Sequence, residues 1–406
     1  MTGVGVTASI GQGKEDFASS LLSGRHAFDV MKRSGRQKDS RFIGAEIASL
    51  SYPDRLSKKM LRKASFSSRA ALVTLTEAWE EAELDDADSS RIGLVVGGSN
   101  FQQRENFEVY ERYQDRSGFI SPAYGLSFMD SDLCGICTDQ FGITGLAYTV
   151  GGASASGQQL AVIHAIQQVL SGEVDTCIAL GALMDLSYME CEALRALGAM
   201  GTDKYADEPE NACRPFDQNR DGFIYGESCG ALVIERKETA LRRGLKPYAA
   251  LSGWSIKLDG NRNPDPSLEG EIHVIQKALE RARLLPEDID YINPHGTGSF
   301  IGDEIELKAL RACRLSHAYI NATKSITGHG LSAAGIVEII SVLLQMKKSA
   351  LHPSRNLDHP IDDSFHWVNE KSISYRIKNA LSLSMGFGGM NTAVCIQNIE
   401  KCGGES

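Results

Sequence analysis

The hydrophobic positions of this chain follow two different periods in alternation, which predicts a layered α/β protein. From Leu160 to Leu170 apolar residues recur three or four positions apart, so they share one face of a helix that ends at Gly172. Residues 174–181 form a short apolar run that ends in glycine, which is typical of a buried strand. This alternation predicts helices packed on sheets.

The same two periods predict further elements nearer the N-terminus. Residues 2–7 indicate the end of a strand, and residues 14–23 indicate its following helix. Helical periodicity extends over residues 58–82, and the β-branched run at residues 91–98 predicts a buried strand. Residues 101–132 are rich in aromatic and charged side chains and fit neither period. We expect this last segment to leave the core and to form a dimer face or a substrate cap.

Two pairs of segments echo each other along the chain. Residues 230–234 and 391–396 are apolar runs that each follow a glycine-rich loop. Residues 92–98 and 289–296 are each a predicted strand that runs into glycine. This weak internal duplication predicts two similar α/β halves that meet near residues 235–246.

Composition and charge narrow the class of protein. The 406 residues are 42% hydrophobic with a net charge of −10, so a large core is expected and a nucleic-acid backbone is not expected as a partner of the surface as a whole. The N-terminus carries no basic and apolar targeting signal, and the strongest apolar run, residues 333–346, is interrupted by Glu338 and Ser341. Nine scattered cysteines favour reduced thiols over a disulfide framework. We therefore expect a cytoplasmic protein with no membrane segment.

A candidate reactive position is Ser154, within the small-residue stretch 148–157. It stands where a loop becomes a helix, and the free N–H groups and dipole at a helix N-terminus favour negative charge. Such a position suits a nucleophile or an oxyanion site. The alternative is a serine that only caps the helix in a glycine-rich turn.

Two histidine motifs downstream favour a catalytic site. His295 lies in the sequence NPHGTGS, and His329 lies in the sequence KSITGHG. A third motif near the end, at residues 386–391, reads GFGGMN. The order and joint occurrence of these motifs resemble the β-ketoacyl synthases, the condensing enzymes of the thiolase superfamily.

The resemblance covers nearly the whole chain and carries implications for the fold. It implies a thiolase-like α-β-α-β-α arrangement of layers, built from two similar halves. Residues 1–240 would form the N-terminal half that carries Ser154, and residues 241–406 the C-terminal half that carries His295 and His329. The fold would bring these three residues together.

The resemblance also implies roles for individual residues. In the family, two histidines hold a malonyl thioester and stabilise the enolate that forms when carbon dioxide leaves, and imidazole N–H groups are suitable donors to that oxygen. Lys324 matches the family lysine that supports the second histidine, and we expect Glu306 to pair near it. Phe387 would gate the site over the nucleophile position. The residues expected to bind substrate are Thr297, Phe387, Gly388 and Asn391.

The chain departs from the family pattern at the nucleophile. The family places a reactive cysteine where this chain has Ser154, and Gly151-Gly152 replaces the Asp-Thr that usually comes before the Ala-Cys. A serine needs a dedicated base and an orienting partner to become a nucleophile, and neither is evident here. The sequence therefore keeps the residues for decarboxylation and lacks the thiol for acyl loading. It looks most like the decarboxylating, Ser-type ketosynthase homologues of polyketide β-branching cassettes, which convert malonyl to acetyl on an acyl carrier protein.

This resemblance implies an acyl carrier protein as partner, whose phosphopantetheine arm brings in the substrate, so no cofactor or metal of its own is expected. It also implies a homodimer. Two alternatives stay open at this point. One is a serine-dependent acyltransferase or hydrolase that acts on acyl carrier protein, and the other is a non-catalytic ketosynthase-like partner subunit.

Overall fold

The protein is described by a computed structural model over residues 1–152, 156–262 and 265–399, so the predicted nucleophile position Ser154 lies outside the described residues. Two six-stranded sheets organise this part of the chain. Its strands are β1 Gly3–Ala8, β2 Gly11–Gln12, β3 Phe28–Val30, β4 Ile43–Ala45, β5 Ile92–Gly97, β6 Ala147–Val150, β7 Thr176–Gly181, β8 Tyr225–Gly226, β9 Ser228–Glu235, β10 Ala249–Leu258, β11 Tyr291–Asn293, β12 Tyr319–Ile320, β13 Ala350–Leu351, β14 His366–Trp367, β15 Ile373–Ser374, β16 Asn379–Gly386 and β17 Met390–Asn398. Its α-helices are α1 Lys14–Ser23, α2 Lys58–Leu61, α3 Phe66–Glu81, α4 Gln103–Tyr113, α5 Tyr124–Ser127, α6 Ser131–Phe141, α7 Ser156–Ser171, α8 Tyr188–Ala196, α9 Lys237–Arg242, α10 Leu268–Ala282, α11 Phe300–Ala312, α12 Lys324–Thr327 and α13 Ala334–Lys348.

The two large sheets repeat one topology. The first has the strand order β2-β1-β9-β7-β5-β6 and the second the order β10-β17-β16-β11-β12-β14. From β1 and from β10 onward, each sheet has two antiparallel pairings followed by parallel ones, two in the first sheet and three in the second. The echoing segments therefore hold equivalent places, β9 with β17 and β5 with β11. The predicted duplication into two similar halves is confirmed.

Helices complete the layers. The strands of both sheets are largely apolar, and α7 and α13 contact strands of both sheets, so these two helices form the middle layer. Helix α3 covers the outer face of the first sheet, and α10 covers that of the second. The predicted α-β-α-β-α order of layers is confirmed. One apolar cluster spans both halves, and the division into domains 1–240 and 241–406 stays a prediction.

Two segments show how local chemistry shapes the elements. The helical periodicity over residues 58–82 is divided into α2 and α3, because Ser65 caps α3 by accepting the Ser68 N–H at 3.1 Å and so begins a new helix. Residues 101–132 contain α4 and α5 and leave large apolar side chains exposed, as expected for a segment outside the core. Among the described helices, none combines the length and the apolar character that crossing a bilayer requires.

Candidate active site

His329 belongs to the second half but is held by the first. Its backbone N–H donates to the carbonyl oxygen of Ile224 at 2.7 Å, and its own carbonyl accepts the N–H of Gly226 at 3.1 Å. A Cβ on Gly226 would lie 1.9 Å from the carbonyl oxygen of Thr327, so only glycine permits this approach of the two chains. The position of His329 thus depends on the docking of the two halves.

His295 lies in the loop between β11 and α11, and the carboxylate of Glu306 holds that loop through two hydrogen bonds. Glu306 Oε1 accepts the backbone N–H of His295 at 2.6 Å, and Oε2 accepts that of Gly296 at 2.8 Å. Gly296 has a φ of 39°, and a Cβ there would meet the Phe216 ring at 2.6 Å. Glu306 was expected to pair near Lys324; the charge of Lys324 does oppose the burial that raises the pKa of Glu306, but the ion pair of Lys324 within the described residues is with Glu338.

A second buried carboxylate, Asp303, holds the next residues of the same loop by accepting their backbone N–H groups. Asp303 Oδ1 accepts the N–H groups of Thr297 at 3.2 Å and Gly298 at 3.1 Å, and Oδ2 accepts that of Phe216 at 2.7 Å. Burial raises the pKa of Asp303 to about 6, although these backbone donors and Arg220 oppose the rise. Asp303 was not predicted as a site residue. Its position in the first turn of α11, directly after the histidine loop, is a signal that its carboxylate accepts backbone N–H groups of that loop.

Lys324 occupies the centre of the site without lining the cavity. Its ammonium group donates to the carbonyl oxygen of His295 and to Oε1 of Glu338. Lys324 and Glu338 are each 2% exposed. Burial raises the pKa of Glu338 to about 7, and the charge of Lys324 opposes that rise. The hydrogen bond of Lys324 goes to the loop of the first histidine, its charge also acts on His329, and its support of the second histidine stays a prediction.

Glu338 was missed as a site residue. It is the acid that interrupts the apolar run of residues 333–346, which forms the buried helix α13. An acidic residue at a buried helical position needs a partner, because an unpaired buried charge is costly. That interruption is the signal by which the sequence could have identified it as the partner of a buried cation.

The two imidazole rings lie next to each other. The ring centroids of His295 and His329 are 5.6 Å apart and the ring planes meet at 82°. Nδ1 of His329 accepts the backbone N–H of Leu331 at 3.2 Å, so the proton of its neutral ring is on Nε2. Nδ1 of His295 is buried and has no hydrogen-bond partner within the described part of the chain. A ligand in the cavity can therefore reach His295 only through Nε2.

The surroundings keep both rings uncharged. Burial lowers the pKa of His295 well below its ordinary value, and the charge of Lys324 and the neighbouring His329 lower it further. The pKa of His329 is also lowered well below its ordinary value, mainly by burial and then by Lys324. A neutral imidazole can still donate one N–H, so the pair is suited to stabilise an oxyanion.

Both histidines line a cavity of about 300 Å³. Of the four predicted substrate-binding residues, Thr297, Phe387 and Asn391 also line it. Gly388 lies in the adjacent turn between β16 and β17, is exposed and is not part of the lining. The amide of Asn391 donates to Asp259 Oδ2 at 2.8 Å, so this side chain also braces the wall of the cavity.

The sequence matches two family profiles in succession. Residues 1–240 match the profile described as Beta-ketoacyl synthase, N-terminal domain, and residues 248–358 match Beta-ketoacyl synthase, C-terminal domain. The chain is 31% identical over 413 residues to 3-oxoacyl-(acyl-carrier-protein) synthase 1 of Buchnera aphidicola, with 98% of each chain covered. It is 28% identical over 410 residues to 3-oxoacyl-(acyl-carrier-protein) synthase 2 of Coxiella burnetii, again with 98% of each chain covered.

Solved structures agree on the fold. A β-ketoacyl synthase from Burkholderia phymatum superposes with a TM-score of 0.88 at 24% identity, covering 98% of this chain and 99% of the other. A ketosynthase of a type II polyketide synthase, solved with its acyl carrier protein, superposes with a TM-score of 0.88 at 24% identity, covering 98% of each chain.

Proposed function

Because this chain belongs to the β-ketoacyl synthase family, we propose that it removes carbon dioxide from malonyl-acyl carrier protein and releases acetyl-acyl carrier protein without condensing chains. The observation that carries this proposal is a paired histidine site beside a sequence that has Ser154 at the nucleophile position. The site retains donors for an enolate oxygen, whereas the acceptor of an acyl chain is missing.

The proposed chemistry uses the two neutral imidazoles. When the bond between the malonyl carboxylate and its methylene carbon breaks, the electron pair moves into the thioester and forms an enolate. The Nε2–H groups of His295 and His329 donate to the enolate oxygen as its negative charge grows. Lys324 does not need to touch the substrate, since it holds the carbonyl of the His295 loop and is balanced by Glu338.

Condensation needs a thiolate that takes up the acyl chain, and the described cysteines do not offer one. All of them are buried, and none lines the cavity. Burial raises the pKa of each of these thiols. The Sγ of Cys213 reaches the backbone of the site but donates to the carbonyl oxygen of Lys324 at 3.0 Å. These contacts favour decarboxylation over condensation.

A carrier protein is the proposed donor of the substrate. Leu197, Phe300 and Ile301 line the cavity and yet are exposed, so they surround its mouth. The cavity leads from these apolar side chains to the polar histidine pair. An apolar mouth that leads to a polar interior suits a phosphopantetheine arm that ends in a malonyl thioester. A solved structure of similar fold is a ketosynthase in complex with its acyl carrier protein.

The direct test is incubation of the protein with malonyl-loaded carrier protein, followed by intact mass measurement of both proteins. We expect the carrier to lose the mass of carbon dioxide while the enzyme mass stays unchanged. An acyl group that accumulates on the enzyme would favour the serine acyltransferase, and free carrier arm would favour the hydrolase. No change in the substrate would favour the non-catalytic subunit.

Ser154 is expected to be dispensable for carbon dioxide release. Ser154→Ala should keep substantial activity, with a loss of about tenfold, or about 1.4 kcal/mol, if a hydrogen bond to the substrate disappears. Ser154→Cys should instead become acylated, because a thiol is readily tuned to thiolate. Mass spectrometry of the peptide that contains residue 154 checks both outcomes. An acyl ester on Ser154 that forms at the rate of turnover would contradict this account.

The protein is expected to form a homodimer through the edge strand β6 and the exposed segment near α5. Strand β6 ends the first sheet and, within the described residues, pairs on one side only, with β5. Open strand edges and large apolar patches are usual contact surfaces. Large apolar side chains of the segment around α5 include Phe119, which is 77% exposed, and Leu126, which is 62% exposed.

Sedimentation at micromolar concentration checks the dimer. The double variant Phe119→Asp with Leu126→Asp should shift the equilibrium toward monomer, while Leu241→Asp, at an exposed position on α9, should not. A wild-type protein that sediments only as a monomer would contradict the expected dimer.

A further inference from the structure

One buried acid on the wall of the histidine cavity has no role in the chemistry described above. Glu271 lies in the first turns of α10 on the stripe of that helix that also carries Val274, Ile275 and Ala278. It is 1% exposed and lines the same cavity as His295. An apolar side chain is the usual occupant of such a helical position, and an acid there is costly unless it is neutral or paired.

Glu271 has no cationic partner in the described part of the chain. Its Oε2 is buried without a hydrogen bond, and the charged groups that act on it are the acids Glu306, Asp259 and Asp303. Burial, and then these neighbouring acids, raise the pKa of Glu271 well above its ordinary value. Glu271 is therefore expected to stay protonated in the resting site.

Glu306 has backbone hydrogen-bond donors that Glu271 lacks within the described residues. Both oxygens of Glu306 accept backbone N–H groups, from His295 and Gly296, and these donors oppose the rise of its pKa to about 8 that burial causes. Two carboxyl groups close together in a buried site retain a proton between them. Since no donor among the described residues opposes the raised pKa of Glu271, a proton shared between the two acids is held more strongly by Glu271.

We propose that Glu271 is the general acid of this site and donates its proton to the enolate carbon after carbon dioxide has left. This inference rests on the proposed decarboxylation. The O–H bond of Glu271 breaks, and its electron pair stays on the carboxylate oxygen. The enolate supplies the electron pair of the new C–H bond at its terminal carbon. The thioester carbonyl is restored, the product is the acetyl thioester, and the Glu271 carboxylate recovers a proton from water.

The reaction needs such a donor because the enolate has no acyl thioester to attack. In a condensing reaction the enolate carbon would bond to an acyl carbon, whereas here it must take a proton. Without a placed acid, the enolate can recombine with carbon dioxide before a proton arrives. Positioned acids typically contribute about a hundredfold or more to such steps.

The test compares wild type, Glu271→Gln and the control Glu269→Gln. Gln keeps the shape of the side chain but has no acidic proton, and Glu269 is an exposed acid in the first turn of the same helix. Each protein is incubated with malonyl-loaded carrier protein in bicarbonate labelled with heavy carbon, in the presence of carbonic anhydrase. Mass spectrometry then follows both the formation of acetyl-carrier and the entry of heavy carbon into the remaining malonyl-carrier.

We expect Glu271→Gln to form acetyl-carrier about a hundredfold more slowly and to incorporate heavy carbon into malonyl-carrier more often per turnover. Glu269→Gln should behave as wild type. Wild-type rates in Glu271→Gln would overturn the proposal, and so would a slow variant without heavy-carbon entry, because the acid would then only shape the cavity. Glu271→Ala removes the acid without placing an amide in the cavity. It must also form acetyl-carrier more slowly and incorporate heavy carbon into malonyl-carrier more often per turnover.

This experiment distinguishes a failure of the proposed function from a failure of the proposed role of Glu271. If wild type forms no acetyl-carrier, the decarboxylase itself is refuted, and the role of Glu271 with it. If wild type decarboxylates and the Glu271 variants do so equally, only the role of Glu271 is refuted.

Discussion

His329→Ala is expected to slow the release of carbon dioxide from malonyl-carrier by between a hundredfold and a thousandfold, or about 2.7–4 kcal/mol of barrier. The reason is the loss of an Nε2–H donor that is already in place when charge develops on the thioester oxygen. His295→Ala should have an effect of similar size, since its ring is the neighbour at 5.6 Å. Single-turnover decarboxylation, read by mass spectrometry of the carrier, measures both.

Two further variants make this prediction specific. His366→Ala removes an exposed histidine that does not line the cavity and should leave the rate unchanged. His329→Gln keeps an N–H donor on a side chain of similar reach and should recover part of the lost rate. If His295→Ala and His329→Ala both fold and both turn over normally, the assignment of the active site is wrong.

Lys324→Met is expected to destabilise the fold by about 3–5 kcal/mol, because it leaves the Glu338 carboxylate buried without its cation. The same change removes the hydrogen bond to the carbonyl oxygen of His295 and a positive charge beside both rings. Activity should therefore fall by at least about tenfold, or about 1.4 kcal/mol, even where the variant is folded. Urea unfolding and single-turnover decarboxylation measure the two effects separately.

The double variant Lys324→Met with Glu338→Leu separates stability from catalysis. Replacing both members of a buried ion pair by apolar side chains is often neutral or stabilising, so much of the lost stability should return. Activity should stay low, since the support of the His295 loop is still absent. A double variant that is both stable and fully active would show that the pair serves the fold alone.

Much of the architecture follows from local patterns. Hydrophobic periods locate α7 and β7, because burial of one helical face or of a whole strand demands a particular spacing of apolar residues. The echo between residues 230–234 and 391–396 indicates the repeated topology, since each segment is the strand that follows a glycine-rich loop in its half. The two histidine motifs identify His295 and His329 as site residues. They do so because glycine-flanked loops fix the backbone around a reactive side chain, which is also why the motifs resemble those of a family.

Other features required the tertiary structure. The sequence offered Glu306 as the partner of Lys324, but the structure pairs Lys324 with Glu338 and gives Glu306 to two backbone N–H groups. A spacing of residues does not encode this choice, because it depends on which buried groups remain unsatisfied after desolvation. Missed acids can be sought at apolar positions of helices, where Glu338 and Glu271 both stand.

The sequence by itself determined several of the helices and strands, the duplication, the two histidines and the serine at the nucleophile position, because each depends on short-range spacing or on the identity of a single residue. Only the tertiary structure decided how the site is held. It joins His329 to Ile224 and Gly226 of the other half and brings Glu271 to the wall of the histidine cavity. These contacts link segments far apart in the chain, and their energies depend on burial and on neighbouring charges that exist only after the two halves have packed together.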